Sequence, residues 1–125
     1  MQVLHIKPME TVRVDHDRLG ALYSQLGDAG AEDVVCRALE ELALRLGQCE
    51  AFFRASAWAD LRKNSRTLVA IADQVGMSTL SRVAGDVTCC IDRGDVTAIA
   101  ATLSRLIRLG ERSLTAIWDM QELSI

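Results

Sequence analysis

Three cations, Arg62, Lys63 and Arg66, stand close together in the stretch "DLRKNSRTLVAIADQVG", residues 60–76. Arg62, Arg66, Val69, Ala70 and Asp73 recur at steps of three and four, which places them on one side of a helix with Lys63 flanking. Leu61, Ser65, Leu68, Ala72 and Val75 make the opposite, apolar stripe. A guanidinium is planar and stays protonated, so it forks onto a carboxylate or phosphate but neither accepts a proton nor attacks an electrophile. The chemistry open to this face is anion recognition. The same cations also suit an ordinary solvated helix face, and the sequence leaves both readings open.

Other residues capable of chemistry are scattered. The chain has two histidines, His5 and His16, and neither lies in this stretch. His16 sits between Asp15 and Asp17, where a capped helix start accounts for it better than a metal site, because adjacent side chains seldom converge on one ion. Glu40 and Glu41 are neighbours and project in different directions from a helix. Cys36 and Cys49 can approach one face, but a buried apolar role is the commoner one for free cysteine. Without a nearby histidine, a cysteine nucleophile lacks its usual base. Nothing reads as a phosphate-cradling glycine loop. The expectation is a protein without enzymatic activity, cofactor or metal.

The elements that must position the cationic face follow from hydrophobic period. At 125 residues the chain has the length of one domain, and 50% hydrophobic residues are enough to build a core. A single proline in a chain rich in Ala and Leu favours helices. Residues 1–14, "MQVLHIKPMETVRV", carry β-branched residues in loose alternation and read as an extended arm. A short first helix starts at Asp15 or Asp17 and ends near Gly27 and Gly30. A second begins with Glu32 and Asp33 and presents Val35, Leu39, Leu42, Leu46, Cys49 and Phe53 as one stripe, running through Gly47. Ser56 breaks the chain before the third helix, which Gly76 closes. Ser78 caps a fourth with Leu80, Val83, Val87 and Cys90 inward. Gly94 ends it and Asp95 caps the last, which carries Ile99, Leu103, Leu106, Leu114 and Ile117. "RGD" at residues 93–95 is part of this turn.

Short connections between helices imply antiparallel neighbours. The fold expected is all-α: an up-and-down antiparallel four-helix bundle over residues 15–125, with an extra short N-terminal helix and the extended arm. A formal net charge of -3 argues against general nucleic-acid binding. The N-terminal residues lack a signal-peptide apolar run, and no stretch nears the length of a membrane span. Four cysteines without CxxC spacing, two of them the vicinal pair Cys89 and Cys90, fit a reduced, cytoplasmic protein.

The segment from "NSRTLVAIADQVG" outward resembles the histidine phosphotransfer family. That family's signature is an alanine and the reactive histidine, then x-Leu-Lys-Gly, and a glycine closing the helix. Here Arg66 falls at the histidine, Leu68 at the leucine, Val69 at the lysine, Ala70 at the glycine and Gly76 at the closing glycine. "DLRKNS" and "CIDRGDVTAIAATLSRL" are similar to the family as well, so the likeness runs over roughly residues 17 to 115 as a pattern of packing positions. The resemblance implies the bundle and a face on the third helix that docks on receiver domains, whose phosphorylation site is an acidic cluster around magnesium. It also implies that the usual phosphoryl transfer is lost, since Arg66 replaces the imidazole and Val69 the lysine.

Two classes of function follow. One is a non-catalytic adaptor that docks on a receiver or kinase domain through Arg66, Arg62, Lys63, Val69, Ala70 and Asp73 without carrying phosphate. The other is a structural or oligomerisation module, in which the bundle, its arm or Trp118 near the C-terminus holds a partner or a second copy.

Overall fold

The computed structural model describes residues 13–123, with side chains through Thr115. Four helices make up these residues: α1 (His16–Arg54), α2 (Trp58–Gln74), α3 (Ser78–Arg93) and α4 (Val96–Leu123), with no strand among them. Each helix packs on its neighbour in the chain, and α4 closes the ring on α1. The arm expected at residues 1–14 lies outside the described residues except for its last two, and the side chains of Ile117 and Trp118 lie outside them too.

The apolar stripes fold inward. Leu61, Ser65, Leu68, Ala72 and Val75 of the α2 segment are all buried, and so are Val35, Leu39, Leu42, Leu46 and Cys49 of α1. From α3 come Leu80, Val83 and Val87, and from α4 Ile99, Leu103, Leu106 and Leu109. Removing a large apolar side chain of this kind from water stabilises the fold by about 1.5–3 kcal/mol. Phe53, Cys90 and Leu114 pack half-buried against this core.

The expected break between the first two helical stretches is present. Gly27 leaves the helical conformation, with φ 73 and ψ 170, and divides α1 into a short first stretch and a longer one that continues to Arg54. Only glycine adopts that backbone region readily. Gly30 stays helical, and its missing side chain lets the Leu26 Cβ come within 3.2 Å of where its own Cβ would stand.

One helix boundary differs from the sequence expectation: Ser78 is the first residue of α3 and not its cap. Met77 takes the cap position because its fully buried side chain fills the core at the α2–α3 turn. The Ser78 hydroxyl donates instead to the Arg13 carbonyl at 3.3 Å, and the Arg13 amide donates to Thr79 Oγ1 at 3.0 Å. The end of the arm is thereby tied across the turn. The Asp15 amide extends the tie by donating to the Gly76 carbonyl at 2.6 Å.

The other caps follow the sequence. Asp15 Oδ1 accepts from the Arg18 amide at 3.0 Å, and Asp95 Oδ1 accepts from the Ala98 amide at 3.1 Å. Gly94 closes α3 in the left-handed conformation, and Ser56 breaks the chain after α1 with φ 53.

Candidate functional site

Helix α2 positions the cationic face by phase. Successive residues turn by about 100°, so Arg66 and Ala70 lie roughly opposite Leu68, whereas Arg62 and Val69, each one residue beyond a core leucine, lie at the stripe's edge. Lys63, Arg66, Ala70 and Asp73 are exposed, as their positions require. Val69 departs from its sequence assignment to the outer face: it is half-buried against the core.

Arg62 is not a free cation. Its Nε donates to Asp92 Oδ1 at 2.7 Å and its Nη2 to Asp92 Oδ2 at 3.3 Å, a two-pronged pair joining α2 to the last turn of α3. Both side chains remain substantially in solvent, at 38% and 51% exposure, so the pair orients more than it stabilises. The hydrogen bond from Arg62 holds the Asp92 carboxyl below the ordinary carboxylate range against an opposing desolvation, and the charges of Arg62 and Arg66 add to the effect. The hydrogen bond to Asp92 and then its charge likewise raise Arg62.

Arg66 makes no ion pair among the described residues, although its field reaches Asp92. The site is therefore one available guanidinium beside one already engaged, with Lys63 flanking and the small Ala70 and anionic Asp73 further along the helix. Asp92 is the member that sequence reasoning missed. Its only signal was membership of "CIDRGD", where the turn explained it.

Behind this face lies a buried polar knot, also absent from the sequence reading. Asn64 is 3% exposed between the core residues of α2. Its Oδ1 accepts from Arg45 Nη1 at 2.9 Å, and its Nδ2 donates to the Arg45 carbonyl at 2.8 Å and to Cys49 Sγ at 3.2 Å. Arg45 Nε in turn donates to Glu41 at 2.9 Å. Burial raises the Cys49 thiol above its ordinary range, opposed by the Asn64 hydrogen bond and the Arg45 charge. Cys49 is thus a packed neutral thiol with satisfied surroundings. Cys36 is exposed, so the two cysteines do not share a face.

The vicinal pair divides its environments as well. Cys89 is exposed, and the Cys90 sulfur lies 3.5 Å from Thr102 Oγ1 on α4. His16 is an exposed first residue of α1, beside its Asp15 cap. Among the described residues no three or more His, Cys, Asp or Glu side chains are grouped to hold a metal ion. No helix among them is long and apolar enough to cross a membrane.

No protein-family model, curated protein or solved structure matches the chain.

Proposed function

We propose that this chain is a cytoplasmic, non-catalytic signalling adaptor, an up-and-down antiparallel bundle of the histidine phosphotransfer kind that docks on a receiver or kinase domain without carrying phosphate. The observation that carries this reading is Arg66. It is exposed on the outer side of α2, without an ion pair among the described residues, at the position where the resemblance puts the reactive histidine. The ring of helix contacts supports the bundle topology, since each helix meets its chain neighbour and the last meets the first.

In the docked state a carboxylate or aspartyl phosphate of the receiver pocket accepts two hydrogen bonds from the Arg66 guanidinium. Ala70 lets the partner's backbone come close. Lys63 steers from the rim. Arg62 contributes less than the sequence alone suggests, because Asp92 already engages its Nε and Nη2 and neutralises its charge.

Calorimetric titration against receiver domains, with and without phosphorylation, tests this. Arg66→Ala is expected to weaken binding by about 2–5 kcal/mol, the usual result of truncating one partner of a buried charge pair. If no receiver or kinase domain binds, or Arg66→Ala binds as tightly as the parent, the reading fails and a structural or oligomerisation module takes its place.

A further inference from the structure

A second surface lies away from the α2 face, where α1 and α4 meet. Half-buried Phe53 and Ile107 line a groove there together with Leu103 and Ala100. Glu50, Arg54, Arg108 and Glu111 stand around them. Phe53 is braced from outside the groove by Trp58, edge to face at 5.6 Å, so it is a rigid aromatic rather than a loose one. None of the four charged groups makes an ion pair among the described residues; Arg108 only donates to the Ser104 hydroxyl on its own helix at 3.3 Å. An apolar floor ringed by unpaired charges is the composition of an interface core and rim.

The balance of charge selects the occupant. The rim holds two acids and two bases and is neutral, while the chain as a whole carries -3. A partner of one strong sign gains nothing there, whereas two copies of this chain meet at such a neutral face without adding to their general repulsion. The positions of the charges agree. Gly110 of α4 abuts the side chain of Leu46 on α1, which sets Glu111 level with Leu46. Arg54 lies eight residues beyond Leu46, about 12 Å further along α1. Glu111 and Arg54 therefore mark opposite ends of one groove, and a two-fold axis through its middle sets each Arg54 against the other copy's Glu111. Such isologous pairing is the usual symmetry of homodimers.

We infer that the α1–α4 groove is the face through which two copies of this chain associate, with Ile107 near its middle, Phe53 beside the Arg54 end and paired Arg54–Glu111 contacts at its two ends. This does not depend on the adaptor reading, since the face is formed by different helices from Arg66.

Sedimentation equilibrium of the full chain over a wide concentration range tests it. The parent is expected to shift from monomer to dimer as concentration rises. Arg54→Glu alone and Glu111→Arg alone each set like charges against each other and should weaken self-association at least about tenfold. An equimolar mixture of the two variants restores opposite charges at both ends and should dimerise again. Circular dichroism checks that both variants keep their helix content. Hydrogen exchange on the unaltered chain gives a readout independent of any variant: amides around Phe53 and Ile107 should slow on concentrating. A chain that stays monomeric at all concentrations overturns the inference. So does a dimer insensitive to both reversals, a mixture that fails to recover, or exchange at this groove that is unchanged by concentration.

Discussion

Arg62 and Asp92, thirty positions apart, meet through two parallel hydrogen bonds of 2.7 and 3.3 Å that bind α2 to the end of α3. The charge of Arg66 also reaches Asp92 and helps to hold its carboxyl low. Asp92 therefore imitates, within the chain, the kind of carboxylate that the proposed partner would bring. Asp92→Asn should remove this internal competitor. Under the docking proposal it strengthens partner binding while Arg66→Ala weakens it, and isothermal titration of both variants separates the two effects. An Asp92→Asn variant that binds more weakly than the parent would show Asp92 to be part of the docking surface instead.

The same pair has a pH signature. Asp92 is depressed in the folded state, so its contribution is fully present above its ordinary value of 3.8 and fades as pH falls through the lower folded value. Arg62 is raised, so its contribution persists through neutrality and is lost only in strong alkali. Urea unfolding at pH 7 and in increasingly acid buffer should show parent and Asp92→Asn differing slightly at the first and progressively less as pH falls below the ordinary carboxylate range. Added salt should shrink the difference at pH 7, because the pair is exposed.

Leu68 is fully buried on the inner stripe of α2. Leu68→Ala should cost about 2–5 kcal/mol, from lost apolar burial plus the cavity left behind. Denaturant midpoints with an unchanged slope would confirm a core defect. A change below about 0.5 kcal/mol would place Leu68 outside the core.

Gly76 and Gly94 share a positive φ, 76 and 68, but not the same surroundings. A Cβ on Gly94 meets nothing within 4 Å, whereas one on Gly76 stands 2.7 Å from the Asp15 carbonyl oxygen. Gly94→Ala should cost about 1–2 kcal/mol for its backbone conformation alone. Gly76→Ala adds a clash with backbone that cannot move without breaking the Asp15–Gly76 hydrogen bond. Thermal melts of the two variants should therefore rank Gly76→Ala as the less stable.

Thiol labelling should follow burial. Cys36 and Cys89 are exposed and should react in the native state, Cys90 more slowly. Cys49, buried and with its thiol raised above the ordinary range, should react only after unfolding. Asn64→Ala, which strips Cys49 and Arg45 of their shared partner, should open Cys49 to reagent under native conditions. Mass mapping of each labelled cysteine at successive times reads all four at once.

What the sequence by itself determined was local and periodic. The inward stripes at Leu61–Val75 and Val35–Cys49, the helix starts at Asp15 and Asp95 and the closing turn at Gly94 follow from spacing within a few residues, because a helix's own geometry decides which side chains share a face. The absence of imidazole from the outer side of α2 was equally legible, as a matter of which residue stands at position 66. Tertiary structure decided everything that needed two segments to meet. Arg62 and Arg66 look alike in sequence, and only the approach of α3 engages one with Asp92 and leaves the other available. Ser78 has the chemistry of a cap, but the core's demand for Met77 and the passing arm gave its hydroxyl another partner. Asn64 reads as a polar residue near a cationic run, and it is buried because α1 supplies Arg45 and Cys49 to satisfy it. Pairings between distant positions leave no mark on local period, so the chain shows which faces its helices have and the fold shows what each face meets.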